Sequence, residues 1–135
     1  MKITIISLGK LKENYFKAAQ EDYLRRIEKF VNIEIVECER ILNLDRFDFV
    51  AVLDERGKQM SSLEFAEFIR KLEIEGKKVC FIIGGWSGLE ENIRKRADGI
   101  ISLSKFTFPY QLARMILLEQ IYRAFTIIRG IDYHK

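Results

Sequence analysis

The stretch Phe81 to Leu89, FIIGGWSGL, leads an apolar run into three glycines within five positions. Stripping side chains in this way lets a backbone lie close to a ligand or to another chain segment, or turn through positive φ. The glycines follow a strand-like segment, and in open α/β sheets ligands bind beyond the carboxyl ends of strands. A dinucleotide fingerprint needs G-x-G-x-x-G at a first strand, with an acidic residue about 20 positions later. Here the order is G-G-x-x-G at the fourth strand. A phosphate-cradling Walker loop needs Gly-Lys-Ser/Thr, and no lysine follows these glycines. A nucleophile elbow, G-x-S-x-G, would need glycine where Leu89 stands, so Ser87 is out of frame, and hydrolysis would have to borrow the distant His134. What remains is a small ligand held largely by backbone groups between Leu53–Gly57, Gly84–Gly88 and Leu103–Phe108, loops expected on one edge. An adenosine-bearing cofactor suits such a site, and methyl transfer from a sulfonium asks the protein mainly for alignment.

Little else in the chain competes for chemistry. One histidine among 135 residues makes a zinc site improbable, and Cys38 and Cys80 each sit in apolar strand-like segments, as free thiols commonly do. The 23 basic and 20 acidic residues leave +3, and the excess falls wholly in residues 84–135, with 8 basic against 5 acidic. That is too small to argue for nucleic acid by itself. The length suits one domain over residues 1–135, and no run approaches the roughly 18 apolar residues of a membrane span, so the cytoplasm is the default location.

The elements that must position the glycines follow from periodicity. KITIISL, ending at Gly9, predicts a first strand, and Tyr15, Ala19, Tyr23 and Ile27, each four apart, predict an amphipathic helix over 13–29. A second strand is expected over 32–38, a polar loop over 39–48, and a third strand over 49–53 that ends in a turn at Asp54–Gly57. Ser61 with Glu64 is a capping-box signature for a helix stopping at Gly76. A fourth strand over 79–83, a short helix over 90–97 and a fifth strand over 100–103 complete the alternation. Pro109 then opens a long helix that Gly130 closes. The class is α/β, a mostly parallel sheet with helices on both faces. Apolar residues wrap most of the last helix's circumference. Either it is central to the core or its outer side meets a second subunit, which the small size of the chain favours.

Three stretches in order, IIGGWSGL, LSKFTFPYQLARMILLEQIYRAF and the terminal YHK, resemble the ribosomal RNA large subunit methyltransferase H family, of the SPOUT or α/β-knot class. The likeness runs from KITIISLGK onward and is dense over 79–135. It implies an S-adenosylmethionine-dependent enzyme that methylates N3 of a pseudouridine at position 1915 of 23S rRNA on assembled ribosomes. It further implies a homodimer, a C-terminal trefoil knot, and no need for a metal. Carried over by motif, the cofactor contacts would be Leu53, Gly84, Leu103, Ser104, Lys105, Phe106, Thr107 and Phe108. N3 of a uracil-type base holds its proton at neutral pH, so His134 with Tyr133 is expected at the target base. Arg129 or Lys135 would hold phosphate, while Arg114 and Arg123 would reach RNA or pair across the dimer. Arg94, Lys95 and Arg96 read as a solvated helix end. Three departures stand out: a shortened 39–48 loop, Tyr110 where many relatives have histidine, and Trp86 within the glycine turn. A noncatalytic ribosome-binding module of the same fold and a nucleotide-dependent α/β enzyme are the competing readings.

Overall fold

The computed structural model describes residues 1–41 and 43–135. Leu42, inside the expected 39–48 loop, lies outside the described residues. Five strands, β1 (Lys2–Ser7), β2 (Asn32–Glu37), β3 (Phe49–Gln59), β4 (Lys78–Ile83) and β5 (Gly99–Ser102), form one parallel sheet in the order β2-β1-β4-β3-β5. Four helices alternate with them: α1 (Asn14–Ile27), α2 (Ser62–Ile74), α3 (Glu91–Arg96) and α4 (Tyr110–Ile128).

The central strands are apolar on both faces because both faces are covered. In β4, Val79, Phe81 and Ile83 join Ile3 and Ile5 of β1 beneath α1, α2 and α4, while Cys80 and Ile82 face the opposite side with Val50 and Val52. Among the described residues, Ile93 of α3 and Ile41, Leu44 and Phe47 before β3 cover that second side. The expected helices on both faces are thus present, three against one short one. Burial pushes the Cys80 thiol up to about 12, so it stays protonated and inert.

Local signals operate where they were legible. Ser61 and Glu64 exchange both capping-box bonds, at 3.0 and 2.9 Å, and Gly76 and Gly130 end α2 and α4 at φ +65 and +69. Pro109 occupies the position just before α4, with φ −58 and ψ 148, one residue outside the helix it was expected to open.

One expectation about the strands is corrected. The third strand does not end at Leu53. It runs on to Gln59, with a register shift in which both Leu53 and Lys58 face Ile101, so Asp54–Gly57 bulge out of the ladder instead of forming a terminal turn. Gly57 lies so close to β5 that a Cβ there would sit 2.6 Å from the Ile100 carbonyl oxygen. For α4, expected either at the centre of the core or against a second subunit, the first holds within the chain: the helix packs against the sheet and against α1 and α2, burying Met115, Leu117, Leu118, Ile121, Ala124 and Phe125, which bears on the core alone.

Candidate functional site

The carboxyl ends of β3, β4 and β5 meet the start of α4 around a cleft of about 440 Å³. Its walls come from the β3 bulge, the glycine turn after β4, the loop after β5, and Tyr110 and Ala113 of α4. Parallel strands bring these segments together although the sequence separates them by some 60 positions. A smaller cavity of about 140 Å³ adjoins it behind Leu53 and Leu103, lined also by Met60, Phe65, Ile101, Ile116 and Leu117. Ser61, Ser62, Ser102 and Gln120 complete its lining, so the recess is mixed in character.

Glycine is required by contact at the turn. A Cβ on Gly84 would lie 3.1 Å from Gly88 and Leu89, and one on Gly85 would lie 3.2 Å from the Leu8 backbone. Gly88 has φ +81 and its N–H donates to the Gly85 carbonyl at 3.1 Å, closing a four-residue turn with Trp86 and Ser87 at its tip. The neighbouring Gly9 makes room for Tyr110: a Cβ there would fall 2.4 Å from the ring, whose hydroxyl donates to the Lys10 carbonyl at 3.0 Å.

The opposite wall is charged. The Asp54 carboxylate, 6% exposed, pairs with Arg94 of α3 and with Arg56, whose backbone N–H it also accepts at 2.9 Å. The Thr107 hydroxyl donates to Glu55 and links the bulge to the loop after β5. That loop supports itself. Ser102 Oγ donates to the Ser104 carbonyl at 2.8 Å, and Ser104 Oγ accepts the Phe106 N–H at 3.0 Å.

Of the expected cofactor residues, Leu53, Gly84, Leu103, Ser104, Phe106, Thr107 and Phe108 line this one cleft, whereas Lys105 is exposed and outside the lining. Asp54, Glu55, Arg56 and Arg94 are cleft residues that sequence reasoning did not single out. The bulge had no local signal. Arg94 read as a solvated helix end because its partner Asp54 lies 40 positions away and is adjacent only in the fold.

The residues expected at the target base lie elsewhere. The C-terminal tail folds onto α4, where the Tyr133 hydroxyl donates to Glu119 Oε2 at 2.8 Å and Arg123 Nη1 lies 2.9 Å from His134 Nδ1. A guanidinium only donates, so Nδ1 accepts and the ring proton belongs on Nε2. Arg123 also lies over the Tyr133 ring, at 4.8 Å, and pairs with Glu119 at 2.9 Å. Burial alone would raise the Glu119 pKa, but the hydrogen bonds from Arg123 and Tyr133 outweigh it and hold the carboxyl below its ordinary 4.5. Burial and the Glu119 carboxylate together push the Tyr133 phenol above its ordinary 10.0. Along α4, Arg123, which holds His134, is ten residues beyond Ala113, about 15 Å at 1.5 Å per residue, and Glu119, which holds Tyr133, is six, about 9 Å, so the tail docks away from its own cleft.

The expected RNA contacts are also redistributed. Arg129 makes a fork to Glu73 of α2 at 2.9 and 2.7 Å, and Lys135 pairs with Asp132 at 3.3 Å on the exposed tail. Arg114 is corrected outright. Its side chain is 0% exposed and donates to Gln20, Glu37, Ser7 Oγ and the Gly9 carbonyl, so it has no surface to offer RNA or a second subunit.

The family model described as "Predicted SPOUT methyltransferase" matches residues 1–134, and the chain belongs to that family. Within it, the chain belongs with the ribosomal RNA large subunit methyltransferases H. It is 42% identical to the protein of that name from Caldicellulosiruptor saccharolyticus over 98% of this chain and 99% of that one. It is 44% identical to the one from Limosilactobacillus reuteri over the whole of both. The latter alignment spans 160 positions against the 135 residues here, so the relative carries residues that this chain lacks. Among solved structures, a methylase family protein from Haemophilus influenzae Rd KW20 matches with a TM-score of 0.60 and 10% identity, over 99% of this chain and 70% of that one. TrmJ from Z. mobilis ZM4 matches with a TM-score of 0.57 and 16% identity, over 92% and 70%. These two likenesses concern the fold alone.

Proposed function

We propose that the chain is one catalytic domain that transfers a methyl group from S-adenosylmethionine to large-subunit ribosomal RNA. The target we assign is N3 of the pseudouridine at position 1915 of 23S rRNA in the assembled ribosome, which puts the reaction in the cytoplasm. The observation that carries the reading is the cleft itself, with a glycine-bared backbone, an adjoining recess and a carboxylate-bearing wall in a chain of this family. At about 440 Å³ it lies within the usual range for small-molecule sites.

The residues fit the cofactor. The backbone of Gly84 and of the 103–108 loop would read its polar edges, Leu53, Leu103 and Phe108 would flank its ring, and the carboxylates of Asp54 and Glu55 would face its positive charges. When bound, S-adenosylmethionine supplies a methyl group on a sulfonium, an electrophile that needs alignment more than activation. The chain must still handle the N3 proton. We assign that work to His134, with Tyr133 beside it and Arg129 and Lys135 near phosphate; His134 takes the proton at Nδ1 once that nitrogen is released from Arg123. Because the tail of one chain docks about 9 to 15 Å along α4 from its own cleft, the assignment requires a homodimer in which a tail serves its partner's cleft. The same reading takes the glycine turn and the segment that follows it as a trefoil knot.

The test is titration calorimetry with S-adenosylmethionine on the wild type and on Gly84→Val, whose side chain would collide with Gly88 and Leu89. Saturable binding that the substitution weakens tenfold or more, measured at a temperature where both proteins are folded, is expected. No binding by the wild type at millimolar ligand would overturn the cofactor assignment.

A further inference from the structure

Trp86 is the sole tryptophan of the chain and the most exposed of its large apolar residues, at 95%. Single exposed apolar side chains are ordinary on protein surfaces. The placement of this one is not. It occupies the tip of the turn closed between Gly85 and Gly88, and that turn is pinned on one side by Gly85 against Leu8 and on the other by Gly84 against Leu89. Trp86 thus stands at the tip of a turn whose flanking Gly84 and Gly85 are closely approached by neighbouring segments. Trp86 is not itself in the cleft lining, but Gly84, Gly85 and Gly88 are, so it stands on the rim. Phe106, on the facing loop, is 79% exposed and does line the cleft. Along the chain, Lys10 and Lys12 follow the Leu8–Gly9 segment that approaches Gly85, Lys95 follows Arg94 on α3, and Lys105 precedes Phe106; none of the four lines the cleft itself. All four are exposed and have no ion-pair partner among the described residues.

An exposed aromatic ring with unpaired lysines on the adjoining segments suits single-stranded nucleic acid, in which bases stack on the ring and ammonium groups meet phosphates. We propose that Trp86 stacks on an unpaired base of the RNA that flanks the nucleotide entering the cleft, and so positions the substrate strand over the site. The proposal rests on the RNA-methylation reading above. Because the ring is on the rim and not in the lining, it acts on RNA binding and not on cofactor binding. A ring so exposed contributes little to the folded core, so its replacement leaves stability unchanged.

The experiment measures two affinities for the full-length wild type, Trp86→Ala and Trp86→Phe: co-sedimentation with assembled ribosomes, and calorimetry with S-adenosylmethionine. Base stacking on one aromatic ring is typically worth about 1–3 kcal/mol, which converts to about a 5- to 150-fold weaker ribosome affinity for Trp86→Ala. Trp86→Phe should retain most of the affinity, and the cofactor affinity should not change in either variant. Tryptophan emission, which here reports one residue, should be unaltered by the cofactor alone. Loss of cofactor affinity in Trp86→Ala, or quenching by the cofactor alone, would make Trp86 a lid on the cofactor and overturn the proposal. Unchanged ribosome affinity in Trp86→Ala would overturn it too. A wild type that binds neither ribosomes nor cofactor would instead sink the functional reading on which it rests.

Discussion

Two arginines nine residues apart on α4 have opposite fates. Arg114 is fully buried between α4, β1, β2 and the 8–12 segment, where four hydrogen bonds of 2.8–2.9 Å fix it to Gln20, Glu37, Ser7 and Gly9. Its Nε–H has no partner among the described residues, a desolvation cost set against those four bonds. Burial would raise the Glu37 pKa, yet the Arg114 bond and the Leu11 N–H prevail and hold it below 4.5. Arg123 is 23% exposed and gathers Glu119, Tyr133 and His134, all within reach of solvent. One cluster anchors the helix to the sheet, and the other docks the tail that is assigned the proton chemistry. Depth decides the difference: a buried guanidinium must be satisfied in one geometry, while a surface one can exchange partners at small cost.

Separating function from stability breaks this comparison most sharply. His134→Ala should lower methyl transfer to ribosomes by about 10²–10⁴-fold while leaving the urea midpoint unchanged, since the tail covers little of the core. Equal turnover in the variant would remove the proton role from the tail. Arg114→Met should do the reverse to the fold, lowering stability by about 3 kcal/mol in urea denaturation. That is the low end for a broken buried pair, because Glu37 is 34% exposed and can recover water. A loss below about 1 kcal/mol would show that the anchor contributes little. Arg123→Ala should cost about 1 kcal/mol or less, yet leave residues 131–135 open to carboxypeptidase at a rate the wild type resists.

Alkaline titration sharpens the contrast further. The Tyr133 pKa is raised in the fold, so the stability it contributes is complete below 10.0 and is lost as pH rises through the folded value. Tail protection should therefore fall above pH 10 while the Arg114 anchor, which contains no phenol, holds. Both clusters weaken in acid, because Glu37 and Glu119 are both lowered and their contributions disappear as pH falls below 4.5. Protection measured against pH distinguishes the two. The smallest effect belongs to Lys135→Ala, where both ion-pair partners are more than 80% exposed, with a change of about 0.5 kcal/mol or less in the same denaturation experiment.

Elements governed by local rules were legible in the sequence. Ser61 and Glu64 announced the start of α2, Gly76 and Gly130 its end and that of α4, and unbroken apolar runs announced buried parallel strands. The bulge at Asp54–Gly57 was not legible, because Asp-Glu-Arg-Gly reads as a turn and only the register against Ile101 reveals the excursion. The circumference of α4 leaves open in the sequence whether the helix is central to the core or meets a second subunit, since nothing in the residues shows that α1 and α2 flank it.

The sequence by itself determined the order of strands and helices, the glycine turn and most of the cleft loops, because propensity, capping and turn chemistry act over a few residues. Which charges meet was decided only by the tertiary structure. Arg94 finds Asp54, Arg129 finds Glu73, and Arg114 finds Glu37 across 40, 56 and 77 positions. Such partners have no periodicity to betray them, since Coulomb attraction and hydrogen-bond reach depend on distance in space and not along the chain.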